Sequence, residues 1–475
     1  MLFYPFAARA FAADRERGTR WFAVGMAAGF AATTLFILWE RVTFPGLFNL
    51  AHDYRVTGPF SVMHVGGAYI EGYLVGALPF AAFFVIRNGP GLRGGAAAAL
   101  LAGGSFALLI THSREAYFAL IVAVVAFVLP LLFGGLGGRR TRTQQLVAAL
   151  AVTVILAGSL LTLGMGRAIQ QRFVTVAADV EVRFDHWARS LRILGEHPVR
   201  WLTGIGAGRF AAGYYWQPDA VGVPGRVVFM ADDEDTFVRL GTGESIHLSQ
   251  AVDVVADQHY VVSARVRSNE AKAQFTIPVC EKWLLDSFGC VRHTFTIDGA
   301  AGQWVTVHWE FDTHPLRYAV PWVGRPVKLS LLNMNTSAFV DVTAVSLRDA
   351  QGVELIRNGR FSAGTDNWVP TTDSHLAWHA KNLPLHLLVE LGLVGLALFA
   401  LLVARGMIAA ASEAFSGDLF AMTVLAALAG MLTVGLTDSL IDAPRIATLF
   451  FLLLEMGFLA GLRSADLAGS TGRMK

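Results

Sequence analysis

Glu115-Ala116-Tyr117-Phe118-Ala119-Leu120-Ile121-Val122-Ala123-Val124-Val125-Ala126-Phe127-Val128-Leu129-Pro130-Leu131-Leu132-Phe133 decides the fold. After Glu115 the run carries no charge, and it is long enough as a helix to cross the hydrocarbon core of a bilayer. Working outward, similar apolar runs predict eight membrane helices at 21–39, 67–87, 96–111, 115–134, 145–165, 384–404, 418–438 and 445–462. The third is rich in Gly and Ala, which predicts close packing against its neighbours. Composition agrees: of 475 residues, 54% are hydrophobic and 16% charged, with a mean hydropathy of +0.50. Soluble domains run near 25% charged, so a disordered chain, a coiled coil and a simple soluble enzyme are excluded. The net charge of +2 gives no reason to expect a nucleic-acid partner.

Basic residues set the expected orientation. Arg9, Arg15, Arg17 and Arg20 precede the first helix, Arg87 and Arg93 separate the second and third, and Arg139, Arg140 and Arg142 separate the fourth and fifth. Arg405 follows the sixth, and Arg463, Arg473 and Lys475 follow the last. Eight crossings put all of these on the cytoplasmic side, with both termini. The outward connections are then 40–66, 112–114, 166–383 and 439–444. Residues 1–13 carry an apolar stretch, but charges and a full helix follow, so no cleavable signal is read there.

The segment 166–383 holds 23 of the 36 acidic residues and reads as a water-soluble insertion. Its Cys280 and Cys290 are the only cysteines. They are either a disulfide across a hairpin, as an oxidising periplasm favours, or two unrelated buried thiols. Residues 166–225 begin helically: Val182 to Leu194 has a 3.6-residue apolar period and stops at Gly195 and His197-Pro198. A Gly204-Ile205-Gly206-Ala207-Gly208-Arg209-Phe210 turn follows.

Within 226–376 the period changes to two, as in 258–267, 303–311 and 327–332, which predicts an antiparallel sandwich. With the segment Asn358-Gly359-Arg360-Phe361-Ser362-Ala363-Gly364-Thr365-Asp366-Asn367-Trp368, it resembles carbohydrate-binding jelly-roll modules. Its tryptophans are then either sugar platforms or structural.

Four outward elements carry the candidate chemistry: Arg55 with His64 before the second helix, Ser113-Arg114 at the 112–114 turn, Arg183 and Trp187 after the fifth helix, and Lys381-Asn382 at the sixth. Converging guanidinium groups suit a lipid-linked diphosphate, whose oxygens lie at headgroup depth and accept paired charge-assisted bonds. Such a cluster can also stabilise a departing diphosphate without a metal. The competing reading of each arginine is snorkelling to lipid headgroups.

The helices from about 50 to 460 resemble the O-antigen ligase and O-antigen polymerase family of bacterial membrane glycosyltransferases. The resemblance rests on Arg183-x-x-x-Trp187-x-x-x-Leu191, His197-Pro198, Gly204-x-Gly206-x-Gly208-x-Phe210, Ser113-Arg114, the Arg55–Gly58 segment, and Asn382 followed by Gly392 and Gly395. The family has histidine before that asparagine; here Lys381 stands in its place, either as a base or as a diphosphate clamp. If it is a clamp, His64, His379 and His386 are candidate bases. The family usually has more N-terminal helices, so this is a shortened member or a late start.

The resemblance implies a GT-C-like, all-α membrane bundle in the bacterial inner membrane: helices in 1–165 and 377–475, a periplasmic helical segment at 166–225 and the inserted sandwich at 226–376. It implies transfer or polymerisation of a glycan from an undecaprenyl-diphosphate carrier, with inversion and without metal or cofactor. The acceptor is a hydroxyl of a glycan, lipid A-core or protein; the sandwich favours a polysaccharide and hence a polymerase. Expected catalytic residues are Lys381, Arg183 and Arg114; expected substrate-binding residues are Arg55, His64, Asn382 and Trp187. The competing class is a non-enzymatic polysaccharide export or transport protein, but no internal repeat with broken helices is evident. His375 and His379 have a zinc-compatible spacing without a third ligand. Asp232-Asp233-Glu234-Asp235 reads as a solvated turn, and Asp438, Asp442 and Arg445 either line the cavity or pair with each other.

Overall fold

The computed structural model describes residues 14–50, 54–60, 67–133, 176–217, 225–232, 235–283, 286–314, 326–372 and 376–471, with residues 9, 223 and 316. The expected helix at 145–165 lies outside these residues, as do His64 and His375. The chain divides into two compact units, one of Met1–Gly213 with His379–Lys475 and one of Tyr214–Trp378.

The first unit contains α1 (Arg15–Thr43), α2 (Gly67–Asn88), α3 (Leu92–Leu109), α4 (Arg114–Phe133), α5 (Val176–Arg192), α6 (Pro198–Thr203), α8 (Leu383–Phe415), α9 (Leu419–Gly435) and α10 (Pro444–Thr471). A short helix, α7 (Phe210–Tyr215), spans the division. Among the described residues, α1, α2, α3, α4, α8 and the Pro444–Gly461 part of α10 are long and apolar enough to cross a membrane; α9 is equally apolar but has 17 residues. Helix starts follow local chemistry. Asp14, Asn382 and Asp418 each place a side-chain oxygen on free N–H groups of the first turn, satisfying donors that have no partner within the helix. The small residues of α3 do allow close packing: a Cβ at Gly104 would lie 2.0 Å from the Phe30 ring of α1.

Ion pairs tie the helix ends together. At one end Arg15 meets Asp418 at 3.3 Å and Arg87 meets Glu16 at 2.9 Å, joining the start of α1 to the end of α2 and the start of α9. The opposite ends gather the end of α1, the start of α2, the α3–α4 turn, the start of α8 and the end of α9. These carry the candidate site.

The second unit is a sandwich of two five-stranded antiparallel sheets, β1-β2-β9-β4-β7 and β10-β3-β8-β5-β6. In chain order the strands are β1 (Val227–Ala231), β2 (Thr236–Leu240), β3 (Ile246–Val252), β4 (His259–Ser268), β5 (Gln274–Trp283), β6 (Asp286–Thr296), β7 (Val305–Asp312), β8 (Val327–Asn333), β9 (Val340–Asp349) and β10 (Val369–Thr372). The two-residue period buries alternate side chains: Tyr260, Val262, Ala264 and Val266 of β4 pack on Phe275, Ile277, Leu329, Leu331, Val340 and Val342. Cys280 and Cys290 are paired across the β5–β6 hairpin and joined by a disulfide.

The Asn358–Trp368 segment closes this core. Asn358 donates to the carbonyls of Gly364 and Asp366, the Trp368 indole donates to the Asn358 carbonyl, and Phe361 and Trp368 are both buried in the core. Trp368 is therefore structural. In the Asp232–Asp235 stretch, Asp233 and Glu234 lie outside the described residues; Asp235 binds Arg265 at 2.6 Å and Arg360 at 3.4 Å, and the exposed Asp232 meets Arg267 at 3.3 Å. Arg267 also reaches Asp341 at 2.8 Å and stacks on Trp304, so Asp232 and Asp235 pair with arginines of one sheet face.

Candidate functional site

The site is assembled from the end of α1 outward. Glu40 and Arg41 are both fully buried, which demands partners for both charges. Glu40 accepts from the Tyr54 hydroxyl at 2.6 Å, the Thr57 N–H at 2.9 Å, the Thr57 hydroxyl at 3.1 Å and the Gly58 N–H at 2.6 Å. Arg41 donates to the carbonyls of Tyr54 and Asn49 at 2.8 and 2.6 Å. Neighbouring opposite charges thus clamp the 54–58 segment. Arg55, on that segment, donates from Nε to the Thr111 carbonyl at 3.1 Å and pairs with Glu71 of α2 at 3.2 Å.

The second arginine arrives on α5. Arg183, His186, Trp187 and Ser190 share one face by their three- and four-residue spacings. Arg183 pairs with Glu115 at the start of α4 and donates to the Thr437 carbonyl. Ser113 donates to the other Glu115 oxygen at 3.0 Å. Next on the face, His186 Nε2 lies 2.9 Å from the His379 carbonyl and the Trp187 indole donates to the Lys381 carbonyl at 3.2 Å. Burial holds His186 below the ordinary histidine value, with nearby Lys381, His379 and Arg189 acting in the same direction and the hydrogen bond to the His379 carbonyl acting against it. A neutral imidazole with its hydrogen on Nε2 fits that contact.

Two adjacent side chains of α5 therefore hold alternate carbonyls of the 379–381 segment, where Lys381 adopts a left-handed φ of 48°. Asn382 continues the brace: its oxygen caps α8 through the Leu385 N–H and its amide donates to the Leu436 carbonyl at 2.8 Å. Lys381 lies within electrostatic reach of Arg55, Arg183, Glu115 and Asp438. Burial is the largest influence and holds its ammonium below the ordinary lysine value; Asp438 and Glu115 oppose this, while Arg183 and Arg55 reinforce it.

A second junction explains the glycine pattern. Gly392 breaks α8 with φ 68° and ψ −173°. The break frees the Val389 and Glu390 carbonyls to accept from the N–H groups of Ile205 and Gly206 at 3.0 and 2.9 Å. The Glu390 side chain accepts from the Gly208 and Phe210 N–H groups at 2.8 and 3.0 Å. His386 stacks on Phe210, with Nδ1 3.2 Å from the Ser439 hydroxyl and Nε2 3.5 Å from Glu390. Gly204-x-Gly206-x-Gly208-x-Phe210 is thus a strap that docks the segment after α5 onto the break in α8.

Of the residues expected from sequence, Arg55, Arg183, Trp187, Lys381 and Asn382 come together. At the α3–α4 turn the group that engages Arg183 is Glu115, one residue beyond Arg114. His64 lies outside the described residues. Asp442 and Arg445 do not pair with each other: Asp442 meets His379 and Tyr69, and Arg445 donates to the Pro59 carbonyl above the Phe60 ring. Sequence reasoning missed the carboxylates Glu40, Glu71, Glu115 and Glu390. Their signal was available as acidic residues at or inside apolar runs, where an ionisable group requires a partner.

No family model matches the chain, and no curated protein matches it. Among solved structures, the chain is similar to one described as "PbXyn10C CBM APO", at 17% identity and a TM-score of 0.21, over 31% of this chain and 88% of that one. A second, described as "CBM4 structure and function", is matched at 11% identity and a TM-score of 0.20, over 26% of this chain and 77% of that one.

Proposed function

We propose that the chain is a membrane glycosyltransferase that moves a glycan from an undecaprenyl-diphosphate carrier to an acceptor hydroxyl on the periplasmic side of the bacterial inner membrane. The observation that carries this reading is the meeting of Arg55, Arg183 and Lys381 at one end of the apolar helices. Each cation stands on a separately braced segment, so their spacing is set before any ligand arrives, as preorganised electrostatic stabilisation requires. Glu71 and Glu115 hold the two guanidinium groups. An incoming diphosphate takes their place as the acceptor of paired N–H bonds.

In the proposed reaction the acceptor oxygen attacks the anomeric carbon and the carbon–oxygen bond to the diphosphate breaks. The electron pair stays on the departing oxygen against Arg55, Arg183 and Lys381. A polysaccharide hydroxyl is the favoured acceptor, with the sandwich holding the growing glycan, which makes the chain a polymerase. The test is transfer by the purified full chain in nanodiscs, supplied with lipid-linked oligosaccharides extracted from the host membrane. Glycan extension in wild type that is lost in Arg183→Ala and Lys381→Ala supports the reading. Equal extension in wild type and both variants, or none in wild type, overturns it.

A further inference from the structure

The transfer reaction needs a proton acceptor, and the arrangement around Asp442 supplies one. His379 Nδ1 lies 2.6 Å from Asp442 Oδ2, and the Tyr69 hydroxyl donates to Asp442 Oδ1 at 2.7 Å. Both oxygens of this carboxylate are therefore committed, one to the imidazole and one to a residue of α2. A carboxylate only accepts, so Nδ1 carries a hydrogen, and in the neutral imidazole Nε2 is then the nitrogen with the lone pair. Among the described residues, Nε2 of His379 has no hydrogen-bond partner, and the side chains of His379 and Asp442 are 15% and 18% exposed. The His379 carbonyl is held by His186, and two residues on, the Lys381 carbonyl is held by Trp187. The imidazole is thus fixed in orientation, partly open, and borne on the segment that carries Lys381.

His386 and His186 do not offer this. His386 is buried, with one nitrogen near Ser439 and the other near Glu390, and its ring is stacked on Phe210. His186 is buried with Nε2 on the His379 carbonyl.

We propose that His379 removes the proton from the acceptor hydroxyl, with Asp442 and Tyr69 as positioning residues. The inference rests on the glycosyl-transfer reading above and leaves Lys381 as a charge on the diphosphate. As the acceptor oxygen bonds to the anomeric carbon, its proton passes to Nε2 while the electron pair of the breaking bond stays on the diphosphate. The resulting imidazolium, facing Asp442, then releases the proton to water. Among the described residues, the charged and titratable groups around His379 are Asp442 on the 436–443 turn, Asp438 on that turn beside Tyr69, Tyr69 on α2, His186 on α5 and Lys381 on its own segment.

The experiment compares wild type, His379→Gln, Asp442→Asn and Arg183→Ala in nanodiscs. Binding of undecaprenyl diphosphate is measured beside the kcat–pH profile for transfer from extracted lipid-linked oligosaccharides. His379→Gln is expected to bind undecaprenyl diphosphate within about two-fold of wild type while kcat falls by roughly 10²–10⁴. Its residual kcat should also lose the acid limb of the profile. Asp442→Asn should lower kcat with diphosphate binding kept. Unchanged kcat in His379→Gln, or a retained acid limb, overturns the role of His379 while the transferase reading stands on Arg183→Ala. Loss of diphosphate binding together with kcat in His379→Gln overturns it too, since the residue is then structural. Full transfer and binding in Arg183→Ala overturn the reading on which the inference rests.

Discussion

Gly204 and Gly392 lie against each other's backbones: a Cβ on Gly204 would sit 2.2 Å from the Glu390 carbonyl oxygen, and one on Gly392 would sit 2.3 Å from the Leu202 carbonyl oxygen. Both have positive φ, so neither position accepts an L side chain without strain. This contact fixes how the segment after α5 meets α8, and hence where Arg183 stands relative to Lys381.

Gly392→Ala should therefore destabilise the helical unit by about 1–3 kcal/mol from backbone strain alone, with further loss from the forced separation. Gly208→Ala is the contrast. Its φ is 72° but no atom lies within 4 Å of a new Cβ, so only the left-handed penalty of about 1–2 kcal/mol applies. Denaturant unfolding of the two variants in detergent checks the order; equal losses would count against the junction.

Glu40→Gln should loosen the 54–58 segment. The carboxylate accepts four bonds in a buried site, and an amide group keeps one oxygen as acceptor while placing an NH₂ against donors. The expected cost is about 2–4 kcal/mol, in the range for charge-assisted bonds lost from a buried site. Faster amide exchange at Thr57 and Gly58 than in wild type is the local readout.

Glu115→Gln should tighten diphosphate binding. Glu115 pairs with Arg183 and must be displaced by an incoming diphosphate. Removing its charge is expected to lower the Kd for undecaprenyl diphosphate about ten-fold, equivalent to ~1.4 kcal/mol. Titration calorimetry in nanodiscs reads this directly, and weaker binding would speak against displacement.

Lys381 gives a pH signature. Its folded-state value is lowered, so between that value and the ordinary lysine value the unfolded chain binds more protons than the native one. Stability then rises with pH through that window, and below it the buried ammonium is a standing cost. Lys381→Met should remove this upward slope and be the more stable protein at neutral pH. Unfolding midpoints measured from neutral pH to the lysine range check both, and parallel curves for the two proteins would contradict the burial argument.

The helices were legible because hydropathy reports them directly: 115–134 against the observed Arg114–Phe133, and 67–87 against Gly67–Asn88. α8 runs to Phe415 rather than 404, since Arg405-Gly-Met-Ile-Ala-Ala-Ala-Ser-Glu-Ala-Phe415 continues a good helix former with less apolar character, which a hydropathy reading cuts short. The arginines of the site were visible as residue types at outward turns. Their partners were not, because pairing is decided by tertiary position: Arg183 meets Glu115 and Thr437, and Trp187 meets a carbonyl 194 residues away. The strap role of Gly204, Gly206 and Gly208 was hidden for the same reason, since it depends on the break at Gly392.

The central claim is that Arg55, Arg183 and Lys381 form one diphosphate-binding centre, and the most direct measurement is equilibrium binding of undecaprenyl diphosphate to the purified chain in nanodiscs. Wild type, Arg55→Ala, Arg183→Ala and the double alanine variant are compared. The account predicts saturable binding in wild type, weakened at least ten-fold by each single substitution, with the double variant showing the two losses coupled rather than additive. Binding that is absent in wild type, or the same in all four proteins, would contradict it.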